Sequence, residues 1–339
     1  QYDIGVELGL FDNRINLELD YYNRKTTDML LNAPIPQTSG FSVLTQNIGS
    51  MENKGFELNL NSTNIDTPDF SWNSTFNISM NTNEVLSLAS PSDIFGVGSG
   101  DYLGGGSIIR IGEAMGSMYG FTRLGVWGTD EASEAARFGL LPGDVKHKDF
   151  NGDYVIDNED RSIIGNGYAD AYGTFVNYFT YKNFDLTIDL QYSIGNDVAD
   201  LALHQGENEV GRANNYITVL DAWTPENQNT MIPQLRNSSA GFVSLYDSHM
   251  VKDGSFLRGN NMILGYTFKP NFLQRVNLNN LRIYTSAQNF FLVMNKDLMG
   301  DPEVDDKNAF GGSGVASQGV KWYDYPRSST FVLGLQIGL

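Results

Sequence analysis

Trp72-Asn73-Ser74-Thr75-Phe76-Asn77-Ile78-Ser79-Met80-Asn81 alternates two kinds of residue along its whole length. Trp72, Phe76, Ile78 and Met80 fall in one set, and the amides and hydroxyls of Asn73, Thr75, Asn77, Ser79 and Asn81 in the other. Ile15 to Tyr22 and Phe184 to Tyr192 repeat the pattern, with Glu18, Asp20, Asp185 and Asp189 on the polar side. A period of two sends successive side chains to opposite faces of a strand, so each of these strands has an oily and a wet side. Runs of about ten residues exceed the usual strand of a soluble sandwich and match the ~9–11 residues that cross a bilayer at a tilt. The pattern predicts an all-β chain, an antiparallel transmembrane β-barrel with lipid outside and water inside.

Working outward, the same reading predicts eleven strands near 2–10, 15–26, 54–62, 71–82, 106–111, 116–126, 171–181, 184–194, 257–268, 281–292 and 329–339. Short connections (11–14, 63–70, 112–115, 182–183, 269–280) alternate with long ones (27–53, 83–105, 127–170, 195–256, 293–328). Bacterial outer-membrane barrels connect their strands this way, with small periplasmic turns and large external loops. If the last strand runs toward the periplasm, so does the first of eleven. An odd number of strands is then expected before residue 1, and the chain reads as the C-terminal part of a wider wall.

Composition agrees. The chain has 339 residues, 41% of them hydrophobic, with 17 Tyr and 20 Phe available for interfacial girdles. No stretch reaches the ~18 consecutive apolar residues of a membrane helix. A formal net charge of -18 repels nucleic acid, and zero cysteines exclude disulfides and thiolate metal sites.

Several segments go beyond pattern. Residues 47–60 (Asn-Ile-Gly-Ser-Met-Glu-Asn-Lys-Gly-Phe-Glu-Leu-Asn-Leu), Tyr21 to Leu30, Trp223-Thr224-Pro225-Glu226-Asn227, Asp253-Gly254-Ser255-Phe256-Leu257-Arg258, Ser286-Ala287-Gln288-Asn289, Gly300-Asp301-Pro302-Glu303-Val304 and Tyr325-Pro326-Arg327 occur in this order. Together they resemble the SusC/RagA class of TonB-dependent transporters. The resemblance implies a barrel of about 22 strands in a Bacteroidetes-type outer membrane, plugged by an N-terminal domain that this sequence does not contain. It implies import of large polar nutrients, glycan or oligosaccharide first and oligopeptide next. A SusD-like surface lipoprotein would act as lid, and the TonB complex would supply energy through the N-terminal part. Leu339 departs from the aromatic residue with which members of that class often end.

The sharpest local motif is Asp149-Phe-Asn151-Gly-Asp153-Tyr154-Val155-Ile-Asp157-Asn-Glu-Asp160. Asp149, Asn151, Asp153, Asp157 and Asp160, with the Val155 carbonyl, follow the ligand order of an EF-hand calcium loop. Tyr154 stands where that loop has glycine, and Asp160 where it has glutamate. The alternative is a loop held by its own side-chain to backbone bonds. No cofactor is otherwise required.

Glu7, Glu18, Asp20, Glu57, Asp185 and Asp189 are expected on the wet face as a solvated wall. His147, His204 and His249 are scattered singly, and no catalytic spacing accompanies them, so the chain reads as no enzyme. Gly104-Gly105-Gly106 and Gly311-Gly312-Ser313-Gly314 lack the lysine of a phosphate loop. Tyr102, Tyr119, Trp127, Tyr216, Trp223, Tyr246, Trp322 and Tyr323 are the loop aromatics that could stack on sugar rings or brace the loops. Two rival readings are a soluble or surface-displayed β-rich binding module, calcium-dependent if the acidic loop holds metal, and a barrel-resident hydrolase.

Overall fold

The computed structural model describes residues 1–34, 38, 40–41, 43–88, 93–95, 106–207, 214–236, 245–269, 273, 278–304, 318–322 and 325–338. Its main sheet has nine strands in sequence order: β1 (Tyr2–Leu10), β2 (Ile15–Pro34), β3 (Val43–Asp66), β4 (Phe70–Ser87), β5 (Ala171–Tyr181), β6 (Phe184–Ile194), β7 (Phe256–Thr267), β8 (Asn280–Met294) and β9 (Thr330–Gly338). Every neighbouring pair is antiparallel, so β1 and β9 run the same way.

Register shows why the alternating residues form this sheet. Leu8, Leu17, Leu60, Phe76, Phe175 and Leu190 lie directly opposite one another across six strands. One residue along, Glu7, Glu18, Asn59, Asn77, Thr174, Gln191 and Arg258 form the row on the other face. A slip of one residue would exchange the two rows, so the pattern fixes the pairing. Among the described residues, the apolar face joins no buried cluster. Phe76 and Ile188 are half-buried by their strand neighbours, and Leu333 is 81% exposed. At the short-turn end of this face, Trp72 stacks on Phe179 at 5.7 Å and Phe184 packs against Tyr266 at 4.7 Å. Such rings suit the lipid–water boundary.

The structure corrects two of the eleven expected wall strands. Residues 106–111 and 116–126 are not in the wall. Gly106–Ile109 and Ser117–Phe121 belong to a separate four-stranded sheet with Ile94–Phe95 and Arg161–Gly165. Both are buried along their whole length, which no lipid-facing strand could be. Periodicity recognises a strand but not the sheet it joins. The expected loops 83–105 and 127–170 therefore merge into one connection, 88–170.

Loop 27–53 shrinks in the opposite direction. β2 and β3 continue to Pro34 and from Val43, at 20 and 24 residues, with bulges beside Met29. At ~3.3 Å per residue they outreach the ~25 Å apolar band, and their far ends project beyond it. The projecting ends share a side with connections 88–170, 195–255 and 295–329, opposite the turns 11–14, 67–69, 182–183 and 268–279.

The two faces respond differently to charge. Ile188→Arg should destabilise the intact barrel in bilayers by about 2–4 kcal/mol, and Thr187→Arg on the polar face by far less. Denaturant-dependent gel mobility of the full-length protein measures both; equal effects would contradict the assignment of faces.

Candidate functional site

Much of the buried core among the described residues sits in the three long connections. Met118, Ala199, Leu201, Leu203, Tyr246, Met250 and Val320 make one buried cluster drawn from all three. Asp197–Asp200 pairs with Val251–Asp253 and, in parallel, with Val320–Lys321, so the connections 195–255 and 295–329 share a sheet. The Phe121 amide donates to the Tyr246 carbonyl at 2.9 Å and ties in 88–170. Buried ions lock the join. Asp247, fully buried, lies 2.6 Å from the Arg123 guanidinium and 3.0 Å from Nε2 of His147. Burial alone would raise its pKa, but Arg123 and His147 outweigh it and hold the carboxyl at about 2. Lys321 meets Asp200 at 3.2 Å, both almost without exposure.

This cap accounts for most of the expected aromatic sites. Tyr246, Trp127, Trp223 and Tyr119 are buried, and Tyr216 and Trp322 are half-buried, so they brace the loops. Tyr102 and Tyr323 lie outside the described residues, as do Gly104, Gly105, Gly311-Gly312-Ser313-Gly314 and Leu339. His147 is engaged by Asp247, and His249 by Glu207 at 2.7 Å. On the wall, Glu7 faces Glu18 and Asp20 faces Glu57 across paired strands. Asp185 receives Arg282 Nε at 3.1 Å and Asp189 receives Asn260 Nδ2 at 2.8 Å.

The acidic loop 149–160 is built by its own amides. Asp149 accepts from Gly152 and Tyr154 at 2.7 and 3.0 Å, and Asn151 from Asp153 at 3.0 Å. Asp153 accepts from Val155 and Asp157 from Glu159, each at 2.8 Å. Asp160, fully buried, accepts from Phe150 and Asp157 at 2.8 and 3.0 Å. Tyr154 takes the left-handed turn, at φ +67°. Among the described residues, no group of three or more His, Asp or Glu is placed to hold a metal ion.

Three of the segments singled out in the sequence converge instead on the polar face of the wall. Arg258, 2% exposed, reaches Asp301 at 2.6 Å and Glu303 at 3.0 Å. Arg327 completes the network at 2.9 Å from Glu303, which also accepts from Gln191 Nε2 at 2.9 Å. Removing one partner from a buried pair of this kind costs about 3–5 kcal/mol, so Arg258 holds the 295–329 connection against β6 and β7. The polar face is thus the one the loops roof over.

Under that roof lies a cavity of about 610 Å³. Tyr168, Tyr172, Gln191, Ser193, Glu303 and Arg327 line it. The segment 167–169 closes one side. A side chain at Gly167 would meet the Gln318 carbonyl oxygen at 2.2 Å, so only glycine lets the two connections cross there. Sequence reasoning missed Tyr168 and Tyr172. Tyr172 stands among the polar residues of β5, opposite Ser79 and Ser193, and that out-of-pattern ring was the available signal.

Comparison with known proteins bears on the whole chain. The family model for "TonB dependent receptor-like, beta-barrel" matches residues 1–191. TonB-dependent receptor P3 of Formosa agariphila is 36% identical over 343 residues, covering 99% of this chain and 34% of that protein. TonB-dependent receptor SusC of Bacteroides thetaiotaomicron is 29% identical over 345 residues, covering 99% and 31%. The solved RagAB peptide transporter superposes with a TM-score of 0.79 at 25% identity, covering 99% of this chain and 35% of the matched one. Its "open-open" state gives 0.79 at 26%, covering 99% and 34%. The chain spans about a third of the length of these relatives.

The Asp247 cluster sets a pH limit on the cap. A carboxyl held below its unfolded value of ~3.9 stabilises the fold above that value, and the contribution disappears as pH falls toward about 2. Fluorescence of the buried Trp127 and Trp223 should report loosening of the cap between about pH 4 and 2. Asp247→Asn should loosen it already at neutral pH and flatten the dependence in that window. An unchanged profile in the variant would refute the assignment.

Proposed function

Because this chain belongs to the TonB-dependent receptor-like β-barrel family, we propose that it forms part of an outer-membrane importer of large polar nutrients. One observation carries the reading: a wall whose apolar face, among the described residues, meets no buried cluster, and whose polar face is roofed by loops anchored through Arg258. Glycans or oligosaccharides are the first cargo class and oligopeptides the second. A SusD-like surface lipoprotein capping connections 88–170, 195–255 and 295–329 is the proposed partner, with energy from the TonB complex. SusC among the relatives, and RagAB among the solved structures, support that assembly. The mechanism has no covalent step: cargo is trapped between lid and barrel, and displacement of a plug opens the path. The full-length protein should co-purify with such a lipoprotein, and its deletion should abolish TonB-dependent uptake of one polar oligomer. Unimpaired growth of the deletion strain on every glycan and peptide tried would sink the proposal.

A second reading concerns residues 149–160. The left-handed turn at Tyr154, sixth in the EF-hand order, supports calcium as a ligand of this loop. Terbium luminescence of the full-length protein, competed by calcium, should be lost in Asp149→Asn combined with Asp153→Asn. No luminescence in the wild type would leave a loop closed by its amides alone.

A further inference from the structure

The cavity on the polar face has a composition that suits one kind of guest. Among the described residues, its two charged rim groups, Glu303 and Arg327, neutralise each other at 2.9 Å and leave no net charge there for a charged end group. Its walls, β5 and β6, are hydrogen-bonded on both sides, to β4 and β6 and to β5 and β7. Among the described residues, these two strands leave no open edge on which an extended peptide could add itself. What remains is an aromatic plane surrounded by hydroxyls and amides. Tyr172 is 49% exposed on that face, and Gln191, Ser193 and Tyr168 stand around it. Burial raises the Tyr168 phenol, which is then a neutral donor and acceptor at working pH. The volume, about 610 Å³, lies within the ~300–1,000 Å³ of small-molecule sites.

We propose that this cavity is a subsite for an uncharged saccharide unit, with the Tyr172 ring as its platform and Tyr168, Gln191, Glu303 and Arg327 as its polar rim. The apolar face of a pyranose fits an aromatic plane, and its ring of hydroxyls satisfies both donors and acceptors. The Arg258 network gives the subsite its shape, since it fixes Glu303 and the connection that roofs the cavity. The inference rests on the import reading and narrows its cargo from polar oligomers to neutral glycans.

The test uses the full-length transporter in lipid nanodiscs, titrated calorimetrically with short neutral gluco-, galacto-, manno- and xylo-oligosaccharides, and with tri-alanine and tri-lysine as peptide probes. At least one saccharide should bind saturably. Tyr172→Ala should weaken it roughly tenfold or more, and Tyr172→Phe should keep affinity within a few-fold. The exposed position of Tyr172 makes both variants compatible with folding. Three results would each overturn the proposal: no saccharide binding, saccharide binding indifferent to Tyr172→Ala, or Tyr172-dependent binding of the peptides alone. Uptake in cells is scored separately. Continued TonB-dependent uptake of a polar oligomer after any of these results refutes the subsite and leaves import standing, whereas no such uptake refutes import itself.

Discussion

A backbone amide that faces hydrocarbon has no water to bond, and leaving it unpaired costs several kcal/mol. That constraint explains the wall. Each strand from β2 to β8 is hydrogen-bonded on both sides, and the long β2–β3 and β3–β4 pairings run past the bilayer thickness without a break apart from bulges. Once pairing is obligatory, side chains decide only which face is which. They do so by alternation: Leu8 to Leu190 in one row, Glu7 to Arg258 in the next. A sheet so built needs no core of its own, because lipid covers its apolar face.

The three long connections live in water and obey the opposite rule. They must bury apolar surface against one another, and they do it with short strands, a shared parallel pairing and the Tyr246 cluster. Charges that are solvated on the wall become interior partners here: Asp247 with Arg123 and His147, Asp200 with Lys321. Such pairs contribute little when compared with apolar packing but cost heavily when broken. They therefore fix one arrangement of the loops, a firm outer surface on which a partner could be seated.

Legibility in the sequence divides along the same line. The nine wall strands were readable because lipid on one side and water on the other write a period of two directly into the chain. Gly106–Ile109 and Ser117–Phe121 carried a similar alternation into a buried sheet, where it has a different cause. The reach of β2 and β3 was not readable. Their outer ends lose the strict alternation: Met29-Leu30-Leu31 is an unbroken apolar run beside a bulge, and Met29 and Met51 pack against the Val85, Ile94, Ile109 and Met115 cluster. Trp127, Trp223 and Tyr246 drew attention as rings in loops, yet a large ring in a watery loop is more useful as packing than as bait. The order of oxygens from Asp149 to Asp160 was legible; that each side chain caps a nearby amide was visible only in three dimensions.

The residues by which the chain resembles its relatives and the residues that line its cavity overlap in part, at Phe256, Pro302, Glu303, Val304 and Arg327. Arg258 and Asp301 come from the recognisable segments and their work is mechanical, whereas Glu303 and Arg327, from the same segments, both anchor the connection and line the cavity. They pin one connection to the inner wall, Arg258 reaching Asp301 43 positions further along the chain. Tyr168, Tyr172 and Gln191 lie outside those segments and present their side chains to the space so created. A strap pinned by ions over a floor of exposed side chains separates two physical demands. Holding the strap requires an unchanging ion network, because a buried guanidinium tolerates no substitute for its carboxylates. Lining the floor requires only exposed side chains, which cost little stability to exchange. Sequence resemblance therefore identifies the scaffold more sharply than it does the chemistry of the cavity floor.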